Sequence, residues 1–160
     1  MLDSKGSVKI IDFGFSTCIP NDKRIKIFCG TPSYMAPEIV AKKEFCGPPA
    51  DIWASGVLLF TFFCGCFPFR GQNDKDLYKK IMKADLIIPE HVPAGPRQLL
   101  SRILQAEAEF RPTAAEVYCD AWVQGAPSAD QLLMGKTRSM SVKPVVQQQQ
   151  QQVPVSVNLN

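Results

Sequence analysis

The hydrophobic pattern of this chain is dominated by one uncharged run, from Ile52 to Phe69. Asp51 stands at its start as a cap, Gly65 where a helix would stop, and Pro68 soon after. These limits predict a helix of about four turns, short for a bilayer at ~1.5 Å per residue. Apolar residues all round it point to a helix buried in a soluble core rather than to a membrane span. Ahead of it, Val8-Lys-Ile-Ile-Asp-Phe13 is β-branched and mostly apolar, and predicts a buried strand after the turn Asp3-Ser-Lys-Gly6. Residues 15–49 hold no period and are broken by Gly30, Pro32, Pro37, Gly47, Pro48 and Pro49. A loop of that length tends to be functional, and Pro37 is placed to open a short helix within it.

Behind the central run the pattern becomes helical. Asn73 or Asp74 caps a helix through residues 77–83, with Leu77, Ile81 and Met82 on one face. Prolines 89, 93 and 96 interrupt, then residues 98–106 form a second amphipathic helix. Residues 112–119 form a third, with Thr113 and Glu116 in capping-box spacing. From residue 125 the apolar periodicity fails, and Gln147 to Gln152 is a glutamine run. Residues 125–160 therefore read as a disordered tail. Gly135-Lys136-Thr137 is no phosphate-binding loop, because Asp130 stands where the motif needs its first glycine.

Composition narrows the function classes. The net charge of +3 is too small to imply nucleic acid. Six cysteines without a CxxC pair, beside one histidine, argue against zinc. Cys64 and Cys66 read as small hydrophobes near the end of the central helix. Free thiols and a polar start point to a reducing, intracellular compartment, the cytoplasm.

Three short strings carry the chemistry. Asp12-Phe13-Gly14 follows the predicted strand, Gly30-Thr-Pro-Ser-Tyr-Met-Ala-Pro-Glu38 follows the loop, and Asp51-Ile-Trp-Ala-Ser-Gly56 opens the central helix. Each alone is common. In this order and spacing, with Arg111 far downstream, they resemble a eukaryotic serine/threonine protein kinase. Gly65-Cys-Phe-Pro-Phe-Arg-Gly-Gln-Asn73 is similar to the calmodulin-dependent and AMP-activated kinase group, nearest its microtubule-affinity-regulating branch. The resemblance covers residues 1–124 and implies an α+β fold: an incomplete, mainly helical C-terminal lobe of the protein-kinase-like fold, with the tail beyond it.

Roles carried over by position remain implications of that resemblance. Asp12 matches the carboxylate that holds magnesium against the phosphates of ATP, a hard oxygen ligand for a hard dication. Phe13 would pack inward, and Gly14 would let the backbone turn. Thr31 would shape the site for the substrate hydroxyl, and Pro32, Ser33 and Tyr34 would line the groove for the residue after the phosphoacceptor. Glu38 and Arg111 match a buried ion pair, with Trp53 and Gly56 among the structural positions around it. Asp51 would also hold the backbone of a catalytic loop. Ile27 stands where many relatives carry a phosphorylated threonine, and it cannot accept phosphate.

The glycine-rich loop, the strand lysine, the helix glutamate and the catalytic-loop aspartate and asparagine do not occur in these residues. By register the asparagine would lie about two residues before Met1 and the base about seven. His91, in a proline-rich loop, does not replace the base. ATP and magnesium are therefore expected to bind this stretch poorly, and no catalytic residue is assigned in it. The expected partner is a protein substrate with serine or threonine, not nucleic acid or membrane. A helix that the family packs on residues 52–63 is also absent, which would leave an apolar face for a protein partner. The alternative reading is a non-catalytic protein-binding module derived from a kinase lobe.

Overall fold

The computed structural model describes residues 1–19 and 23–125. The expected tail beyond residue 125, with its glutamine run, lies outside the described residues. The helices are α1 (Pro37–Val40), α2 (Gly47–Cys64), α3 (Asp74–Lys83), α4 (Ala94–Ile103), α5 (Ala114–Tyr118) and α6 (Ala121–Gly125). Short 3-10 turns occupy Pro32–Tyr34 and Ala108–Phe110.

The central helix begins earlier than its hydrophobic run suggests. Pro48 and Pro49 sit in the first turn, where a missing N–H costs nothing because that donor has no helical partner anyway. The N-cap is Cys46, and Asp51 lies exposed inside the helix, so its expected capping role is corrected. The other end is as read. Gly65 takes φ 67°, and its N–H closes on the Thr61 carbonyl at 2.8 Å. Burial follows one stripe, Ala50, Trp53, Gly56, Val57 and Phe60, at the spacing of a single helix face. The opposite face is apolar but open, with Leu58 exposed and Phe62 76% exposed. A uniformly apolar helix is thus half core and half surface. No helix among the described residues is long and apolar enough to cross a membrane.

The strand expected at residues 8–13 does not form. Asp3 organises the preceding turn, its Oδ1 accepting from the N–H groups of Lys5 and Ser7 at 2.9 and 2.8 Å. Past the isolated bridge between Leu2 and Val8 the pairing ends at Lys9, which exchanges hydrogen bonds with Met1 at 2.8 Å. A strand needs a neighbour for its backbone donors and acceptors. Among the described residues none pairs with residues 10–13, and Ile10 is 83% exposed. A second isolated bridge joins Ile25 to Phe45. Among the described residues β-structure ends there, and the lobe is mainly helical.

The smaller helices pack around the buried stripe of α2. Asn73 caps α3 by accepting from the Asp76 N–H at 2.9 Å. The Gln72 N–H, then Lys80, hold the Asp76 carboxyl below its usual range. Leu77 and Ile81 are buried, whereas Met82 is 45% exposed and leaves the face assigned to it. α4 starts four residues before the predicted position and takes Pro96 into its first turn. Arg97 gathers the proline-rich approach by donating to the carbonyls of Ile88, Pro89 and Val92. His91 is exposed and lies 3.2 Å from the Phe63 carbonyl. α5 carries the reciprocal bonds of a capping box between Thr113 and Glu116. Two hydrogen bonds from Thr113, backbone first, lower the Glu116 carboxyl from its ordinary value. α6 gave no sequence signal. It is fixed by Trp122, which meets the Phe63 ring at 6.0 Å and closes over Gly95.

At Gly56, α2 lies close against the end of α4. A methyl group there would overlap the side chain of Ile103 and press on Leu104. Gly56→Ala is expected to destabilise the lobe by about 1–3 kcal/mol through overpacking, despite the better helix propensity of alanine. Urea unfolding followed by circular dichroism measures this, and an unchanged or raised midpoint contradicts so close an approach of the two helices.

Candidate functional site

The candidate residues fall into a braced group and an unbraced one. The braced group begins where residues 30–38 leave the loop. Gly30 adopts φ 115°, a conformation that side chains disfavour. Pro32–Tyr34 then make one 3-10 turn, closed by the Tyr34 N–H on the Thr31 carbonyl at 3.0 Å. Thr31 is exposed, and Pro32, Ser33 and Tyr34 are half-buried. Tyr34 meets Phe67 edge to face at 5.3 Å, which ties the turn to the chain just beyond α2. Met35 and Ala36 are buried, and Pro37 starts α1.

Glu38 follows, and its carboxylate receives Arg111 through both oxygens, at 2.8 and 2.7 Å. Arg111 uses all five guanidinium N–H groups. Besides Glu38 it donates to the carbonyls of Pro49, Gln105 and Ala106, at 3.0, 2.9 and 3.0 Å. Its guanidinium lies 5.0 Å above the Trp53 ring, and Trp53 stacks on Phe69 at 5.5 Å with planes 7° apart. The Trp53 indole N–H is buried without a partner among the described residues. The sequence named Glu38, Arg111, Trp53 and Gly56. It gave no sign of Phe69 or of the three carbonyls, since backbone acceptors leave no trace in residue identity.

The unbraced group is residues 12–14. Asp12 carries the positive φ, 63°, not Gly14. Its Oδ1 accepts from the Gly14 N–H at 3.3 Å. The turn is therefore made by the aspartate bonding its own backbone, and the expected role of Gly14 is corrected. Phe13 is 68% exposed, which corrects its expected inward packing: no apolar neighbour covers it. Asp51 is exposed too, and its carboxylate takes no hydrogen bond from the described residues. Neither Asp12, Phe13 nor Asp51 joins the cluster around Arg111.

Protein kinases transfer the terminal phosphoryl of ATP held by magnesium, which needs several ligands and a lysine on the phosphates. Among the described residues no three His, Cys, Asp or Glu side chains gather as a metal would require. Asp12 is a single exposed carboxylate bonded to its own backbone. These residues alone do not fit a magnesium–nucleotide site, and no step of the reaction is routed through them.

The model of the protein kinase domain matches residues 1–123. The chain belongs to the protein kinase domain family. It is 34% identical over 160 residues to a probable serine/threonine-protein kinase, MARK-A of Dictyostelium discoideum, covering all of this chain and 15% of that protein. It is 42% identical over 123 residues to CBL-interacting serine/threonine-protein kinase 8 of Arabidopsis thaliana, covering 76% of this chain and 28% of that one. It is 38% identical over 124 residues to serine/threonine protein kinase OSK3 of Oryza sativa subsp. indica, covering 78% and 24%. The chain thus spans between 15% and 28% of the length of these curated relatives. Within this family it corresponds to the mainly helical lobe.

Because Arg111 is fully buried and Glu38 nearly so, losing either partner strands a charge out of water. Arg111→Met is expected to lower stability by about 3–5 kcal/mol, whereas Glu38→Leu combined with Arg111→Met costs less than the single change. Chemical denaturation of both variants tests this, and a double variant weaker than Arg111→Met would contradict it.

Proposed function

We propose that these residues are the substrate-holding part of a serine/threonine protein kinase, the remaining machinery for ATP-dependent phosphoryl transfer being supplied by parts not among them. The observation that carries this reading is the Glu38–Arg111 pair. It fixes residues 30–38 against α2, so Thr31, Pro32, Ser33 and Tyr34 are presented as one shelf. In this reading Thr31 shapes the place of the substrate hydroxyl. Pro32, Ser33 and Tyr34 receive the residue that follows it. Asp12 is the magnesium ligand, with Phe13 and Gly14 beside it, in an assembled site with ATP. Asp51, Trp53, Gly56, Glu38 and Arg111 are structural, and residues 1–124 act as the kinase portion. Six free thiols support a reducing compartment, the cytoplasm.

A second reading, a non-catalytic protein-binding module, is favoured by one observation. Leu58 and Phe62 stand one turn apart on α2 and form an exposed apolar ridge. A protein partner covering that ridge would suit either reading.

On its own the 160-residue chain is expected to transfer no phosphoryl group to any serine or threonine peptide with magnesium and ATP. Radiolabel transfer above background would sink that expectation. Any longer product of the same reading frame that does phosphorylate a peptide should lose at least about a hundredfold in kcat on Asp12→Asn, because the ligand charge at the metal is gone. Wild-type kcat in that variant removes Asp12 from the site. A longer product that folds but never phosphorylates favours the binding module.

A further inference from the structure

The turn at residues 31–34 is braced on its downstream side by the Glu38–Arg111 pair and by Tyr34 against Phe67. On its upstream side Gly30, at φ 115°, joins it to residues 25–28. No ion pair among the described residues involves residues 23–30. The stretch is nevertheless held at three points. Ile25 exchanges both backbone hydrogen bonds with the buried Phe45, at 2.9 Å each way, and its side chain is half-buried against the core. The Phe28 ring meets Tyr78 of α3 edge to face, with centroids 6.2 Å apart and planes at 89°. The Lys42 ammonium lies 5.1 Å over the same Phe28 ring.

Both partners of Phe28 are themselves fixed. Tyr78 is half-buried on the core and follows the buried Leu77. Lys42 stands at the left-handed position that ends α1, with φ 55°. There the Lys42 and Lys43 N–H groups close on the carbonyls of Ile39 and Glu38, at 2.9 and 3.1 Å. Glycine is the usual residue at such a stop, and a lysine there is strained but keeps a side chain that reaches Phe28. The ring remains 45% exposed, so these two contacts are its cover rather than part of a surrounding core. The sequence excludes another common way of ordering such a stretch. A phosphate adds about −2 charge and draws in arginine or lysine. From Cys18 to Gly30 the chain has no serine, threonine or tyrosine, so the approach to the turn offers no hydroxyl to carry one.

We propose that Phe28, seated between Tyr78 and Lys42, is a permanent clamp that sets the upstream end of the shelf at residues 31–34 without phosphorylation. The proposal rests on the reading of those residues as a substrate shelf, and adds how that shelf is regulated. An edge-to-face ring contact and a cation–π contact form whenever the lobe is folded, and no phosphatase removes them. The shelf is therefore set constitutively, and any switch of activity has to act outside residues 18–30. Phe28 is a positioning residue, acting through the backbone of residues 29–31.

The test is amide hydrogen exchange, read by mass spectrometry, on the whole 160-residue chain. Phe28→Ala should speed exchange at residues 25–35 by about tenfold while Val57 and Phe60 in α2 exchange as in wild type. Lys42→Met, which keeps the stem and removes the cation, should speed the same amides by about threefold. Phe28→Tyr keeps the ring and should match wild type. Should Phe28→Ala not fold, Phe28→Leu carries the same expectation. Protein made in a eukaryotic host and then treated with phosphatase should exchange as the untreated chain does. Unchanged exchange in the Phe28 variants, or a rise on phosphatase treatment, overturns the clamp and leaves the shelf reading standing. A rise spread equally through α2 also overturns the clamp, because it reports unfolding of the whole lobe. The shelf is read in parallel with a degenerate serine-centred peptide, which should slow exchange at residues 31–34 of the wild type. A peptide that slows nothing there overturns the shelf reading and the proposal with it.

Discussion

A guanidinium sealed from water has to find acceptors for five N–H groups at once, and Arg111 finds them in three separate stretches of chain. Two come from the Glu38 carboxylate, one from the start of α2 at Pro49, and two from Gln105 and Ala106. Desolvating a charge costs several kcal/mol per ion, so every one of these partners has to arrive together for the arrangement to be tolerable. That requirement makes Arg111 a registration point. It fixes where α1 stands against α2 and where the segment after α4 returns. The contact with Trp53 then passes the same alignment to Phe69, beyond the end of α2, whose ring stacks on that of Trp53. The shelf at residues 31–34 inherits its position from this junction, because only two residues separate it from Pro37.

The central helix answers to two demands that a single amphipathic stripe does not meet. Its inward face packs on α4 so closely that Gly56 leaves no room for a methyl group. Its outward face keeps Leu58 and Phe62 in water, and an aromatic ring so exposed costs hydrophobic free energy with no return inside the described residues. Helix stability here comes from the buried stripe, from the prolines in the first turn and from the stop at Gly65, not from the apolar character of the whole run. The outward face is therefore open to association without being needed for folding of the lobe.

What the sequence disclosed divides along a physical line. Features that depend on one or two neighbouring residues were legible: the αL stop at Gly65, the Asn73 cap, the Thr113–Glu116 box and the start of α1 at Pro37. Partners far apart in the chain, Glu38 and Arg111, were legible only through motif spacing. The strand at residues 8–13 was misread because β-branched composition reports a capacity to pair, and pairing is decided by whether a neighbour lies alongside. Asp51 was misread as a cap because a polar residue at the border of an apolar run resembles one. The prolines at 48 and 49 had already started the helix a turn earlier. The packing of α6 depends on one tryptophan meeting Gly95 and Phe63, which no local pattern encodes.

The two candidate groups differ in what holds them. The shelf is backed by buried residues, by a bidentate ion pair and by an aromatic contact, all between residues 30 and 111. Residues 12–14 are held by little beyond their own backbone, with the Asp12–Gly14 bond at 3.3 Å and the Ser16 N–H on the Phe13 carbonyl at 3.0 Å. Phosphoryl transfer depends on placing metal, phosphate and hydroxyl within about half an ångström of the productive geometry. A carboxylate fixed only by a local turn does not meet that standard until something packs over Phe13. The peptide contact proposed for the shelf asks less, because residues 31–34 are already braced. In the reading proposed above, the shelf is thus braced before anything packs over residues 8–15, and the metal-binding end is the part that a covering partner would still have to fix.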